Sequence, residues 1–322
     1  MANKTGLLLI ILLKSCLGLQ AQLIDPTTTF RNVSAKSYFR FHYDNDYFTK
    51  TDYYYSQGIT LEYVHPKLAK FPLSRLLFKT PNSNKTYGIC FNLFGYTPIN
   101  TNSDSILYGD RPFSSALSIS YFSISTDTIR KYRLSSTLQV GIFGPLALGE
   151  RIQTNIHRWL NNKLPKGWQH QVANDVILNY QLNFEKRLVG YKDRLLLNGI
   201  AQANFGTLHT KAGVGINFLA GYFNDPYQSI KHTKKKIEFY TYGQARLHLV
   251  GYDAMLQGGI FNKKSSYIIP SGHLSRTVVE FDGGIAVNYK KLLLTYSRSY
   301  IGKEFSTGKD HSWGGISIGY SF

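Results

Sequence analysis

Asn45, Asp46, Ser56 and His157 supply an amide, a carboxylate, a hydroxyl and an imidazole, the groups that ester hydrolysis draws on. A near-neutral imidazole can take a proton from water, which makes His157 the candidate general base. Asp46 could orient that imidazole or hold a hard cation through its oxygens. The cation, or the amide of Asn45, would then stabilise a developing oxyanion. Each residue also has a plainer reading. Asx clusters beside a hairpin loop are commonly turn formers, and a single histidine on an amphipathic helix is more often structural than catalytic. Residue types leave both readings open; what decides is whether the fold brings the four together.

The elements that must do so are strands. Ile59, Leu61 and Tyr63 alternate with Thr60 and Glu62, and Leu117, Ile119 and Tyr121 alternate with Ser118 and Ser120. At the C-terminus Ile316, Ile318, Tyr320 and Phe322 alternate with Ser317, Gly319 and Ser321. Period two over about ten residues, ending on an aromatic, is the signature of transmembrane strands in an outer-membrane barrel. Twelve strands are expected, at 36–48, 56–65, 85–94, 114–124, 131–143, 174–187, 193–205, 211–221, 236–250, 276–288, 291–300 and 312–322, with 253–262 assigned to a loop. The fold class is therefore an all-β transmembrane antiparallel barrel of about twelve strands. From Ala147 to Asn161, Leu148, Ile152, Ile156, Trp159 and Leu160 recur at helical spacing instead, with Gln153 and His157 four apart on the polar face. This predicts a short helix in a loop, ended by the Pro165-Lys166-Gly167 turn.

With both ends in the periplasm, the loops containing Asp44–Tyr55, Gly95–Arg111 and Gly144–Asn174 lie outside. Asn45 and Asp46 then close strand one, Ser56 opens strand two, and His157 reaches the same rim from across the barrel. At the other end, turns 66–84 and 221–235 are longer than periplasmic turns usually are.

The compartment follows from the first residues. Lys4, the apolar run Gly6–Leu13 and the small-residue stretch ending at Ala21 have the order of a secretory signal peptide, cleaved after Ala21, leaving 22–322 as the barrel. Lys14 cuts the run too short for a membrane anchor, and Lys14-Ser15 is a poor approach to a lipidated Cys16. Only Cys90 then remains, so no intrachain disulfide can form. The chain has 322 residues with 24 Tyr and 20 Phe, a load that suits aromatic girdles. Its formal net charge of +18 suits a phosphate-bearing partner. A secreted chain is not a nucleic-acid binder, whereas lipopolysaccharide is anionic. The run Lys234-Lys235-Lys236 has no interleaved aromatics and reads as a solvated turn. Gly315-Ile316-Ser317-Ile318-Gly319 fits the esterase pattern G-x-S-x-G, but that motif needs a strand–turn–helix elbow, and here it lies within a strand.

Three blocks resemble the outer-membrane lipid A 3′-O-deacylase family. The first is Asn45-Asp46 with Tyr55-Ser56-Gln57-Gly58. The second is Tyr96-Thr97-Pro98 with Gly109-Asp110-Arg111-Pro112-Phe113. The third joins Gly141-Ile142-Phe143-Gly144-Pro145, Gly149-Glu150, Gln153 to His157, Pro165, Trp168 and Gln171. The resemblance implies a twelve-stranded barrel with a calcium-assisted site at its outer end. There Asn45, Asp46, Ser56 and His157 would be catalytic, and Asn45 and Asp46 the metal ligands. Arg111 and Gln153 would be substrate contacts. His157 would activate water, with a Ser56 nucleophile as the second mechanism. The implied reaction is hydrolysis of the 3′-linked acyloxyacyl ester of lipopolysaccharide by a monomer. A non-catalytic pore or adhesin, and an outer-membrane phospholipase with a Ser-His-Asn set on the outer wall, are the rival functions.

Overall fold

The structure is a computed structural model and describes residues 33–49, 53–228 and 235–322. The expected leader 1–21, with Cys16, and Lys234 lie outside the described residues. Twelve strands form one closed antiparallel barrel: β1 (Tyr38–Asn45), β2 (Tyr54–Val64), β3 (Asn84–Thr97), β4 (Ser114–Asp127), β5 (Tyr132–Phe143), β6 (Asp175–Tyr191), β7 (Leu195–Gly206), β8 (His209–Tyr222), β9 (Ile237–Asp253), β10 (Thr277–Tyr289), β11 (Leu292–Ile301) and β12 (His311–Ser321). Each strand pairs with its neighbours in sequence, and β1 pairs with β12 to close the ring. Closure matters in a bilayer, because every backbone N–H and C=O must find its partner within the protein. All twelve expected strands are present. Residues 254–257 form a four-residue helical turn, α2 (Ala254–Gln257), whose N-cap Asp253 accepts from the backbone of Met255 at 2.8 Å. The helix expected near 147–161 is α1 (Gly149–Trp159).

Alternation sorts the side chains as a membrane requires. On β9, Glu238, Tyr240, Tyr242, Gln244, Arg246 and His248 are buried inward, while Ile237, Phe239, Leu247 and Leu249 are exposed outward. The interior is a packed polar core. Arg40 pairs with Glu62 at 3.0 Å, Arg133 with Glu185 at 2.5 Å, and Arg246 with Glu280 and Asp282. Charges this enclosed are tolerated only when paired and hydrogen-bonded. A cavity of about 130 Å³ remains inside, lined among others by His42, Asp44, Thr60, Cys90, Asn92, Phe94, Ser120 and His209. Lumen-facing residues are thereby fixed, and so are their outward neighbours.

The loop between β3 and β4 is tied to two others at the same end. Tyr267 donates its hydroxyl to the Asp110 carbonyl at 2.8 Å and accepts from the Gly109 backbone at 2.7 Å, and Thr307 donates to the Gly109 carbonyl at 2.5 Å. Asp110 organises the loop from within by accepting from the backbone N–H of Ile99 and Arg111, both at 2.8 Å.

Candidate active site

Ser56 does not open β2, as the sequence suggested; β2 begins two residues earlier, at Tyr54. The reason is a β-bulge. Tyr55 pairs with Tyr96 and Gln57 pairs with Gly95, so Ser56 is the extra residue opposite no partner. Bulges re-aim side chains and gather beside active sites. Just before it Tyr54, fully buried, has φ 68°, a left-handed conformation that a bulky residue adopts only when its surroundings hold it there. Tyr55 still points inward, stacked on Trp313 with ring centroids 4.5 Å apart and donating to Asp44 at 2.7 Å.

Ser56 and its neighbours belong to the outer face of the barrel wall. His42 and Asp44 line the cavity, so Asn45 turns outward; Cys90, Asn92 and Phe94 line it, so Gly95 turns outward; Ser120 lines it, so Ser115 does too. Helix α1 lies against this outward face. A Cβ on Gly149 would fall 2.4 Å from the Cβ of Ser115 and 2.9 Å from the Trp168 ring, so only glycine lets the helix approach so closely. The turn that sends the chain there leaves β5 through Gly144 at φ 95°, where a Cβ would strike the Asn174 backbone at 2.7 Å. Thus α1 reaches Ser56 by folding back over β4 and β3 on the wall's exterior. The expected approach from across the barrel is corrected: the path is around the outside, because strand order makes β5 a near neighbour of β2.

A directed hydrogen-bond chain joins these elements. The Trp168 indole N–H donates to Gln153 Oε1 at 2.8 Å, and Gln153 Nε2 donates to Ser56 Oγ at 2.7 Å. An indole can only donate, so Trp168 fixes which way the Gln153 amide points. Ser56 must therefore accept from Gln153, and its own hydrogen stays available to another acceptor. Trp168 is in turn packed on Phe113, centroids 4.9 Å apart. On the other side, Asn45 Nδ2 donates to the Ser56 carbonyl at 2.5 Å and Asn45 Oδ1 accepts from the Tyr47 backbone at 2.8 Å. Asp46 follows, buried at the head of a 3₁₀ turn.

His157 lies one turn beyond Gln153, on the same face of α1, with Cβ atoms at that spacing about 5–6 Å apart. Its Nδ1 is 2.5 Å from the Lys163 carbonyl. A carbonyl only accepts, so Nδ1 carries a proton, and the neutral ring then has its lone pair on Nε2, the tautomer a general base needs. Asn45, Ser56 and Gln153 are thus joined by hydrogen bonds on the outer wall, with Asp46 next along the chain from Asn45 and His157 one helical turn from Gln153. Arg111 does not join them. It is 1% exposed, paired with Glu304 and laid over the Tyr96 ring at 3.7 Å. A guanidinium so enclosed and neutralised has no face for a membrane-borne phosphate, which corrects its expected substrate contact. It staples the β3–β4 loop to the loop after β11.

A family model described as "Outer membrane protein LpxR" matches residues 7–322. The chain belongs to the LpxR family. It is the family that the three motif blocks resembled, and it places the barrel in the outer membrane. LpxR from Salmonella typhimurium superposes with a TM-score of 0.73 at 19% identity, covering 89% of this chain and all of that one. The β domain of the Bordetella autotransporter BrkA matches at TM-score 0.48 and 9% identity, over 90% of this chain and all of that one. No curated protein sequence matches significantly.

Two further arrangements in this LpxR-family barrel bear on the site. Ser317 of the Gly315–Gly319 pattern is 2.7 Å from His42 Nδ1, and His42 Nε2 is bonded to Asp44 Oδ2 at 3.0 Å. This Ser-His-Asp set is inside the lumen. Ser317 is 3% exposed and mid-strand, its backbone committed to the ladders with β1 and β11, so no free N–H pair stands ready for an oxyanion. As for a metal, no group of three or more His, Cys, Asp or Glu assembles among the described residues. At Asn45–Asp46 the side chains offer one carboxylate and one amide oxygen. Both are oxygens, which fits a hard cation such as calcium.

Sequence reasoning missed the bulge at Ser56, the left-handed Tyr54 and the orienting role of Trp168. A bulge leaves no mark on a single alternation pattern of mixed polar and aromatic residues such as Tyr54–Gly58. Trp168 was visible only as part of a motif block.

Proposed function

We propose that this LpxR-family barrel is a carboxylic ester hydrolase that removes the 3′-linked acyloxyacyl group from lipid A, the membrane anchor of lipopolysaccharide, acting as a monomer. The observation that carries the reading is the chain Trp168–Gln153–Ser56. It clamps α1, and with it His157, against the lipid-facing wall where a membrane-embedded ester arrives. Below the site the same outward face carries Ile59, Leu61, Leu117, Ile119 and Val140, a strip on which acyl chains can lie.

In this reading His157 Nε2 takes a proton from the attacking water, while the Lys163 carbonyl holds the ring in orientation. The Ser56 hydroxyl donates its free hydrogen to the developing oxyanion, kept aimed by Gln153. Asn45 secures the bulged backbone at Ser56. Asn45 and Asp46 would hold calcium, which when bound polarises the ester carbonyl. Direct attack by water ranks above a Ser56 nucleophile, because it needs no primary hydroxyl and Ser56 Oγ is bonded to Gln153 with no hydrogen bond to His157.

The outer-wall position is also what a phospholipase would use. Against that reading, the links that a Ser-His-Asn relay needs are replaced here: Asn45 bonds the Ser56 backbone, not His157. Lipid A from cells expressing wild type, His157→Ala or Asp46→Ala should decide by mass spectrometry. Loss of one 3′-linked group in the wild type alone, with heat-modifiable barrels in all three, supports the assignment. Activity retained by His157→Ala removes the mechanism, and cleavage of glycerophospholipid in preference to lipid A removes the substrate.

A further inference from the structure

The turn between β2 and β3 is one of two long ones at the end of the barrel away from the catalytic seam. It consists of two 3₁₀ turns, Pro66–Lys70 and Pro72–Leu76, each opened by a proline. It does not hang into solvent. Val140, Leu178 and Ile119 are exposed on the lipid-facing side of β5, β6 and β4, so Ser136, Leu138, Tyr180 and Tyr121 share that side. The turn folds back onto these four. Tyr121 donates to the Leu68 carbonyl at 2.8 Å, Tyr180 donates to the Leu76 carbonyl at 2.9 Å, and the Phe78 backbone donates to Ser136 at 3.1 Å and Tyr180 at 3.0 Å. Leu77, Tyr87 and Tyr121 form a small core outside the barrel, with Leu68 and Leu138 against it. Ser136 and Tyr121 stand four and six residues from the ends of their strands, roughly 10–15 Å up a tilted wall.

Such a position explains the chemistry of the segment. The Leu68 and Leu76 carbonyls and the Phe78 N–H are satisfied by wall hydroxyls, and other backbone N–H groups by bonds within the turn, as a lipid environment demands. Phe71, Leu73, Leu76 and Phe78 are exposed. Lys67, Lys70 and Arg75 are exposed beside them with no carboxylate partner among the described residues, and no acidic residue occurs from 65 to 79. Exposed apolar side chains interleaved with unpaired cations are the composition of a membrane-interfacial segment. We propose that residues 65–79 form a collar that binds anionic glycerophospholipid in the leaflet opposite the catalytic end, Lys67, Lys70 and Arg75 taking the phosphates and Phe71, Leu73, Leu76 and Phe78 entering among the acyl chains. Lipopolysaccharide of the other leaflet is out of reach at this end.

Native mass spectrometry of the folded barrel with phosphatidylglycerol or phosphatidylethanolamine tests the collar. Each basic residue near an anionic surface contributes about fivefold in affinity, so Lys67→Gln/Lys70→Gln/Arg75→Gln should weaken phosphatidylglycerol retention on the order of a hundredfold. Single Arg75→Gln should cost about fivefold and serves if the triple variant does not fold. Arg151→Gln/Arg158→Gln, at the catalytic end, should change nothing. Equal retention of both lipids by the wild type, unchanged retention in the triple variant, or loss in the Arg151/Arg158 variant would each overturn the proposal. The first two outcomes fit a periplasmic macromolecule as occupant; the third puts the lipid at the other end.

Discussion

Replacing Gln153 by Glu changes one NH2 to an oxygen and reverses a hydrogen bond. In the wild type Gln153 accepts from Trp168 and donates to Ser56. A glutamate carboxylate can only accept, so Ser56 must turn its hydroxyl hydrogen toward residue 153. A hydrogen bond to a charged acceptor contributes about 1.5–3 kcal/mol, and that bond has to break before Ser56 can donate to an oxyanion. At about 1.4 kcal/mol per tenfold, kcat/KM should fall roughly 10- to 150-fold. The assay is lipid A deacylation in mixed micelles at saturating calcium, which removes any gain in cation binding from the added charge. Gln153→Met is the companion. It frees the Ser56 hydrogen but leaves the buried indole N–H unpaired, at a cost of about 1–3 kcal/mol in stability. Activity should therefore rank wild type, Met, Glu, whereas stability by heat-modified gel mobility should put Glu above Met. A glutamate variant with at least half the wild-type activity, or the same rank order in both assays, would refute the directed-bond reasoning.

Ser56→Ala should keep measurable deacylation, reduced by about one hydrogen bond to a charged group, roughly 10- to 150-fold; a fall to the level of His157→Ala, with an acyl adduct on the wild type by intact mass, would instead make Ser56 the nucleophile. Calcium should be held weakly, with half-activation at about 10⁻⁴–10⁻³ M in a chelator-buffered titration, and Asp46→Asn should remove the activation. Glu304→Gln leaves the Arg111 guanidinium buried and uncompensated, and should cost about 3–5 kcal/mol, read as a lowered temperature of the gel-mobility transition. Ser317→Ala should leave deacylation within about twofold of wild type, since removing one neutral hydrogen bond in the lumen touches none of the reacting groups; a larger loss would bring the lumen set into the reaction.

The barrel was legible because membrane strands write their faces in alternation, and the twelve expected strands agree with the structure to within a few residues at most ends. The helix was legible for the same reason at a different period. The relation between them was not. Whether α1 crosses the barrel mouth or folds back outside depends on Gly149 against Ser115, a contact between residues 34 apart that no local pattern encodes. Arg111 was misread because an arginine in a polar loop looks like an anion contact until Glu304, nearly two hundred residues later, is found beside it. Ser317 shows the converse: the structure completes a Ser-His-Asp set from a motif the sequence had set aside, yet encloses it.

Under the proposed function, the outward placement of the seam between α1 and the wall has a kinetic consequence. A catalyst whose reacting groups face the bilayer meets its substrate by lateral diffusion, in two dimensions, without lifting it from the leaflet. The variable that governs its rate is then the mole fraction of substrate in the surrounding lipid rather than an amount per volume. Inert lipid or detergent added at constant total substrate should slow turnover by simple surface dilution.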